Sequence, residues 1–302
     1  MNRLTRATTD GRVYLDLQNL ARREGRATEE LLVLYALEGF LARLAQSDHA
    51  SRFVLKGGAL LAAFGARRPT RDIDLAARDV PSDAERVLAI VREVASRDHD
   101  DGLRFDTDGV DAQTIRDEDE YTGVRVSLPC SMATARLRLH VDVNVGDPIW
   151  PAPRTIAVPR LLGGETALLG YPLEMVYAEK IVTAIQRGVT NTRWRDFADV
   201  HLLSRGQVVA GSTLQEALRI VGEHRGAALM PLDDRLAGYP AVAQTKWSAW
   251  RRRQQLTSRV PELFATVLAA VVRFADPALR QEIGDRSWDP VTESWVDPTR
   301  SG

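Results

Sequence analysis

The segment from Lys56 to Leu75, KGGALLAAFGARRPTRDIDL, constrains the fold more than any other part of the chain. The apolar run before it predicts a short strand, the Gly57-Gly58 pair predicts a tight turn, and the alanines and leucines that follow predict the start of a helix. Glycines at such a turn let the backbone approach a ligand closely and point free N–H groups at an anion. We therefore expect a strand, a glycine turn and a helix that can cradle a phosphate group.

Two carboxylates follow within the same segment, at Asp72 and Asp74. The alternation of polar and apolar residues there is typical of a half-buried strand, and residues i and i+2 of a strand point to the same face. Two neighbouring carboxylates repel each other unless a cation lies between them. Since Mg²⁺ is held by one or two carboxylates together with substrate phosphates, we expect Asp72 and Asp74 to bind Mg²⁺ beside a nucleotide.

A third carboxylate, Asp142, lies in the strand that the alternating sequence RLRLHVDVNV predicts over Arg136–Val145. The leucines and valines of this strand would face one side, and Asp142 would face the other side with His140 and Asn144. For His140 and Asn144 we favour the interpretation of ordinary polar residues facing solvent. Nucleotidyl transfer requires carboxylates that converge on two metal ions, because one ion activates the attacking hydroxyl and the other neutralises the leaving pyrophosphate. Asp142 is therefore the candidate third ligand, for two Mg²⁺ ions.

Lysine is scarce in this chain: only three of its 40 basic residues are lysine, and two of them, Lys56 and Lys180, lie in candidate motifs. This scarcity favours the interpretation that a compact ammonium is needed at these positions. Lys180 falls in a predicted helix that runs to about Arg187, and we expect it to act as a point charge for the β- and γ-phosphates.

In the next predicted helix Asp196 and Asp199 share a face. One would brace a basic side chain and the other would pair structurally, and the sequence does not rank them.

The pattern along the chain predicts two domains. Alternating segments up to Val145 predict strands, the Pro-rich run 147–153 predicts a boundary, and helical periodicity dominates after it. We expect an α+β, bilobed protein. Residues 1–153 would form a mixed sheet with helices, including N-terminal helices, and residues 154–302 would form a mainly helical domain.

Composition excludes several classes of protein. Hydrophobic residues make up 44% and charged residues 27%, which excludes a disordered or collagen-like chain. The single cysteine, Cys130, cannot form an internal disulfide and fits a reducing cytoplasm. No apolar run approaches the ~20 residues of a membrane helix, and no signal-peptide block is present, so we expect a cytoplasmic protein without a membrane partner. The formal net charge of -1 means that a nucleic-acid partner would need a local basic patch.

Successive blocks of the chain resemble a known family in their order and spacing: LKGGALL, RPTRDIDL, HVDVNVGD, and EMVYAEKIVTAI with RWRDFADVHLL. They are similar to the motifs of the AbiEii/AbiGii (MenT-like) nucleotidyltransferase toxins, within the DNA polymerase β-type nucleotidyltransferase superfamily, over roughly residues 50–205. The resemblance implies a polymerase β-like core for the first domain, with the helical domain after it.

The resemblance also implies roles for particular residues. Asp72 and Asp74 would bind the catalytic Mg²⁺, and Lys180 and Asp196 match the two further catalytic positions. The triphosphate pocket would be shaped by Lys180 and by residues of the first two blocks, namely Lys56, Gly57, Gly58, Thr70 and Arg71. One departure is Ala59, because many members of the superfamily have Ser or Thr after the second glycine. A hydroxyl contact to phosphate would then be absent or come from Thr70.

In function, the resemblance implies a bacterial toxin, controlled by a cognate antitoxin, that transfers NMP from an NTP to RNA. Characterised relatives extend the 3′ acceptor end of tRNA and so block aminoacylation and translation, which makes tRNA or another RNA the expected substrate. One alternative is a small-molecule nucleotidyltransferase of the antibiotic-modifying kind, which shares the Gly-Gly and Asp-x-Asp motifs. Arginines around the site would favour RNA, and an acidic enclosed site would favour a cationic drug. The other alternative is a non-catalytic binding module, against which the intact carboxylates argue.

Overall fold

A computed structural model of the chain describes residues 4–81, 83–116 and 122–297. The chain divides into two compact units. The first unit runs up to Ala63 and includes the ranges 67–147 and 154–170, and the second holds 64–66, 148–153 and the chain from Tyr171 onward. The predicted α+β class is confirmed, because the first unit carries a mixed sheet with helices and the second is mainly helical. The domain boundary predicted after residue 153 stays a prediction.

The first unit is built on one mixed sheet, for which the described residues supply eight strands. In chain order the strands are β1 Phe53–Lys56, β2 Asp72–Ala77, β3 Arg104–Phe105, β4 Asp111–Arg116, β5 Thr122–Met132, β6 Ala135–Val145, β7 Arg154–Pro159 and β8 Glu165–Gly170. Their order across the sheet is β3-β5-β6-β2-β1-β8-β7, with β4 paired to β5. The pairs β2–β6 and β1–β8 are parallel and the others are antiparallel. The strand predicted over Arg136–Val145 is confirmed as β6.

Helices of the first unit accompany this sheet, and their bounds are α1 Thr9–Glu24, α2 Thr28–Ala45, α3 Gly57–Leu60 and α4 Ala84–Ala95. The longest, α2, is buried continuously from Leu31 to Leu44. A helix that is apolar on all sides belongs in a core, and α2 packs against α1, α4, β6 and β8. Its buried Arg43 forms an ion pair of 2.6 Å with Asp101, which satisfies the charge inside the core.

The second unit consists of helices around an aromatic core, with a small antiparallel sheet. Its helices are α5 Leu173–Arg187, α6 Trp194–Ser204, α7 Gly211–His224, α8 Leu232–Arg235, α9 Tyr239–Arg253 and α10 Phe264–Leu279. Its strands are β9 Val209–Ala210, β10 Ser287–Asp289 and β11 Ser294–Val296. The ring of Phe264 lies edge-on to Trp194, Phe197 and Tyr239 at centroid distances of 5.6, 5.3 and 5.3 Å, so α6, α9 and α10 share one core.

The hairpin of β7 and β8 is not predicted by the sequence pattern, which indicates mainly helix after residue 153. Most residues of β7 are exposed, so the strand carries little of the apolar alternation by which strands are recognised. The pairing of β8 with β1, at Leu55 and Gly170, joins the hairpin to the sheet. Such tertiary pairing stabilises strands of weak intrinsic preference.

Candidate active site

The glycine turn follows β1 directly and lies against β2. Gly57 has a φ of +64°, in the left-handed region that glycine adopts without strain. A Cβ at this position would lie 1.9 Å from Oδ2 of Asp74. Gly57 therefore serves two purposes, because it makes the turn and leaves space for the second carboxylate of the Asp-x-Asp motif.

Strand register brings acidic and basic side chains from four strands into one row. Lys56 of β1 is the register partner of Asp74 on β2, Asp74 is the partner of Asp142 on β6, and Asp142 is the partner of Arg125 on β5. We call Lys56, Asp74, Asp142 and Arg125 the charged row. Asp72 lies two residues before Asp74 and so projects from the same face. The structure thus brings the three predicted carboxylates to one face of the sheet.

Arg125, which the sequence analysis missed, binds Asp142 through two hydrogen bonds. Its Nε donates to Oδ1 at 2.8 Å and its Nη2 donates to Oδ2 at 2.6 Å. The hydrogen bonds to Asp142 raise the pKa of the Arg125 guanidinium, and the charges of Asp142, Asp72 and Asp74 raise it further. Burial opposes this rise. The alternating sequence YTGVRVSL predicts a strand over Tyr121–Leu128 that includes Arg125, but only the register with β6 shows which acid Arg125 faces. Tyr121, the first residue of that predicted strand, lies outside the described residues.

Lys56, predicted to help shape the triphosphate pocket, is bound to a carboxylate that the sequence analysis did not single out. Its Nζ donates to Oδ2 of Asp147 at 2.7 Å, and both side chains are nearly buried. Asp147 follows Gly146, whose φ of +92° turns the chain at the end of β6. The ammonium therefore has a defined position at Asp147, while the backbone of Lys56 pairs with Asp74 on β2.

Thr70 and Arg71 lie in the loop that leads into β2. A Cβ at Gly58 would lie 2.9 Å from Oγ1 of Thr70, so this hydroxyl lies beside the glycine turn, and it also donates to the carbonyl of Asp72 at 3.3 Å. The side chain of Arg71 is 76% exposed, and its Nη2 lies 3.7 Å from Oε1 of Glu29. Thr70 is thus part of the turn's surroundings, and Arg71 points into solvent next to it.

Glu38 and Arg67 fix this loop, and the sequence analysis missed both. The buried Glu38 accepts a hydrogen bond from Arg67 at 2.6 Å and two from the backbone N–H of Leu161, at 3.1 and 3.0 Å. Burial raises the pKa of Glu38, and these donors oppose the shift. Arg67 also donates to the carbonyl of Pro159. Because α2 is apolar on both sides of Glu38, an isolated acid within that run was the signal available in the sequence.

The carboxylates on this face suit Mg²⁺. Within the described part of the chain, no three His, Cys, Asp or Glu side chains form a group that could hold a metal ion. Mg²⁺ does not require such a cage, since it takes one or two carboxylates together with waters and substrate phosphates. Asp72 and Asp74 supply hard oxygen donors on one face, and Gly57 leaves room for Asp74. These two residues therefore fit the ion, whereas Asp142 is already engaged by Arg125.

The remaining predicted residues, Lys180 and Asp196, come together within the second unit. Nζ of Lys180 donates to Asp196 at 3.0 Å and to Asp199 at 2.8 Å, and Arg193 binds the other oxygen of Asp196 at 2.7 Å. Both carboxylates are buried. Burial disfavours the charged form of Asp196, but the charges of Lys180, Arg193 and Arg195 outweigh it and lower the pKa of this carboxyl. Lys180 thus binds both of the aspartates between which the sequence could not choose.

None of the helices in the described ranges combines the length and the apolar character that crossing a bilayer requires.

Comparison with known proteins connects this geometry to a family. Over residues 39–273 the chain matches the family described as nucleotidyl transferase AbiEii toxin, type IV toxin–antitoxin system. No curated protein matches it. Among solved structures it is similar to a candidate nucleotidyltransferase from H. pylori, with 14% identity and a TM-score of 0.49, over 84% of this chain and 98% of that one. It is also similar to JHP933 from Helicobacter pylori, with 16% identity and a TM-score of 0.46, over 89% of this chain and 94% of that one.

The family match spans well over half of the chain and includes the charged row as well as Lys180 and Asp196. The mixed sheet of the first unit agrees with the polymerase β-like fold expected of such proteins. The chain therefore belongs to the AbiEii family of nucleotidyl transferase toxins of type IV toxin–antitoxin systems.

Proposed function

We propose that this protein transfers NMP from an NTP to RNA, at the 3′ acceptor end of tRNA, and thereby blocks aminoacylation and translation. The observation that carries the proposal is the register of the sheet, which pairs Asp74 with Asp142, while the glycine turn at Gly57 lies against Asp74. A cognate antitoxin, expected from the family, would restrain this activity. The cytoplasmic location expected from the sequence is part of the same proposal.

Asp72 and Asp74 are the proposed Mg²⁺ ligands, with Asp142 as a third ligand for a second ion. When bound, Mg²⁺ would neutralise charge on the triphosphate and polarise the α-phosphate. The absence of side chains at Gly57 and Gly58 would let phosphate oxygens approach the backbone. Thr70, beside Gly58, is the hydroxyl available to the phosphates in place of the one that Ala59 lacks.

Basic groups would balance the charge that the triphosphate brings. The ammonium of Lys56 is held by Asp147, and its strand position is paired with Asp74; we propose that it offsets part of the negative charge at this face. Arg71 is exposed, since its ion pair with Glu29 is itself at the surface, and it can contact a phosphate backbone, which favours RNA over a cationic drug as the acceptor. Lys180 and Asp196, held together in the second unit, remain proposed catalytic residues by their match to the family pattern.

The test is to incubate the protein with each α-labelled NTP, Mg²⁺ and total bacterial RNA, and to resolve the products by gel electrophoresis. We expect label on tRNA, and none on tRNA whose 3′ diol has been oxidised with periodate. Parallel reactions replace RNA with an aminoglycoside. Label on the drug alone would favour the antibiotic-modifying alternative, and no label on either acceptor would favour a non-catalytic module.

A further inference from the structure

Arg125 ends the charged row in a two-point contact with Asp142. Its Nε and Nη2 donate to the two carboxylate oxygens at 2.8 and 2.6 Å. This paired geometry matches a planar guanidinium to a carboxylate, and such charged hydrogen bonds are about twice as strong as neutral ones. Both oxygens of the proposed third metal ligand are therefore engaged by an arginine.

The charge of Arg125 also acts on the rest of the acidic face. The guanidinium stays protonated at any physiological pH. The negative charges of Asp72 and Asp74 help to stabilise the protonated guanidinium of Arg125, so this guanidinium is attracted to both carboxylates. The Asp142 side chain is only 9% exposed and that of Arg125 is 34% exposed, so solvent screens this pair less than a surface pair. Arg125 thus supplies a fixed positive charge where a divalent cation is expected.

We propose that Arg125 is the counter-ion of the acidic face: it withholds Asp142 from a divalent cation in the nucleotide-free protein, so that metal binds tightly only together with a nucleotide. This inference rests on the proposed function, in which Asp72, Asp74 and Asp142 are the metal ligands. An incoming triphosphate carries negative charge that compensates for the repulsion between Arg125 and the cation. Arg125 is therefore a positioning residue that couples metal binding to nucleotide binding.

A salt bridge that merely joins β5 to β6 leads to a different expectation. Its loss would lower the melting temperature and leave metal affinity unchanged. The loss of a counter-ion leaves three carboxylates with unbalanced charge, which raises the affinity of the face for a cation. Metal binding in the absence of nucleotide therefore separates the two roles.

The experiment measures Mn²⁺ binding to the nucleotide-free full chain, by electron paramagnetic resonance of free Mn²⁺ and by calorimetry. The variant is Arg125→Gln. Its matched control is Arg138→Gln, since Arg138 lies on the same face of β6 as Asp142 but contacts Ser127, at 2.7 Å, and the exposed Asp111, at 3.7 Å. A double variant, Arg125→Gln with Asp142→Asn, also removes the proposed third ligand. Circular dichroism and melting curves establish that each variant is folded.

We expect Arg125→Gln to bind Mn²⁺ about tenfold more tightly than wild type, and Arg138→Gln to match wild type. The double variant should lose this gain, because the added affinity comes from Asp142. An unchanged affinity in Arg125→Gln, or a gain that persists in the double variant, overturns the proposal. If Arg125→Gln does not fold, Arg125→Lys replaces it; lysine cannot engage both oxygens, so a gain is again expected and its absence overturns the proposal.

Nucleotide transfer by the wild type is measured in parallel, with Mg²⁺, NTP and RNA. Transfer by wild type combined with no gain in Mn²⁺ affinity for Arg125→Gln overturns the counter-ion role and leaves the proposed function intact. Absence of transfer combined with tighter Mn²⁺ binding in Arg125→Gln overturns the proposed function and supports the counter-ion role of Arg125.

Discussion

Asp74 and Asp142 are register partners on the parallel strands β2 and β6, so their carboxylates leave the sheet from the same row. On its other side β6 pairs with β5, which runs antiparallel to it. This arrangement is what places Arg125 on the far side of Asp142. The chemistry of the acidic face therefore depends on a sheet topology as well as on an Asp-x-Asp motif.

Replacement of either carboxylate of β2 should abolish nucleotide transfer. We expect Asp72→Ala and Asp74→Ala to lose at least about 100-fold in transfer rate, because a metal ion left with too few ligands no longer polarises the phosphate. Both side chains are half-buried and neither belongs to the hydrophobic core, so the melting temperature should change little. The measurement is the labelled-NTP assay on variants whose circular dichroism matches wild type. A folded Asp72→Ala protein with near-normal transfer would falsify the assignment.

Asp142→Asn should impair catalysis more than nucleotide binding. The amide keeps the shape of the side chain but loses the charge that a second ion and the attacking hydroxyl would need, while Asp72 and Asp74 keep the triphosphate ion. We expect kcat to fall by at least about tenfold with a KM for NTP within about threefold of wild type. Steady-state kinetics on the transfer reaction decide this. Equal losses in affinity and rate would indicate a structural role through the Arg125 contact.

Lys180→Arg should reduce the rate of nucleotide transfer, whereas a lysine-to-arginine change at an exposed position should leave this rate unchanged. The ammonium binds two buried carboxylates at 3.0 and 2.8 Å, and a larger planar guanidinium does not fit between them in the same way. The exposed Lys246 gives the matched control, Lys246→Arg, which should behave like wild type in transfer and in melting. Wild-type transfer by both variants would remove Lys180 from the proposed catalytic residues.

Lys180→Ala separates stability from catalysis at the same position. Removing the ammonium leaves Asp196 with Arg193 and deprives Asp199 of this ion pair, so we expect a loss of about 3 kcal/mol in the free energy of unfolding. Chemical denaturation measures this loss. A variant of unchanged stability would contradict the structural role that the contacts indicate, whatever its transfer activity.

Because of Asp196, the free energy of unfolding should decrease as the pH is lowered into the acidic range. Its pKa is lowered, so the folded protein keeps the carboxylate charged at pH values where the unfolded chain would protonate it. The stabilisation is therefore fully present above about pH 4 and is lost as pH falls below that value. Urea unfolding between pH 7 and pH 3 should show a steeper loss for wild type than for Asp196→Asn. The exposed Asp285→Asn is the control and should follow wild type.

Arg67→Gln should lower kcat/KM for NTP by about tenfold, although Arg67 need not contact the substrate. Its bond to Glu38 and its contact with the Pro159 carbonyl hold the loop that carries Thr70. The control is Arg154→Gln, an exposed position on β7 that should leave kinetics unchanged. Partial recovery in Arg67→Lys, which keeps the charge toward Glu38, would support a positioning role. Identical kinetics in Arg67→Gln and wild type would argue against it.

The sequence alone determined the local parts of the site. Period-two alternation was sufficient to place Asp72 and Asp74 on one face, and the glycine pair after an apolar run predicted the turn that the structure confirms. These features depend on residues a few positions apart, whose geometry is set by backbone sterics. The same holds for α5, whose predicted end near Arg187 is confirmed.

Only the tertiary structure decided which charged residues form ion pairs with each other. Lys56 binds Asp147, Arg125 binds Asp142, and Glu38 binds Arg67, and the partners of these pairs are 91, 17 and 29 residues apart in the chain. The partner of a strand residue is set by register, and the register of strands distant in sequence is set by burial of the whole sheet rather than by either strand. The hairpin of β7 and β8 depends in the same way on its pairing with β1, which is why local pattern missed it.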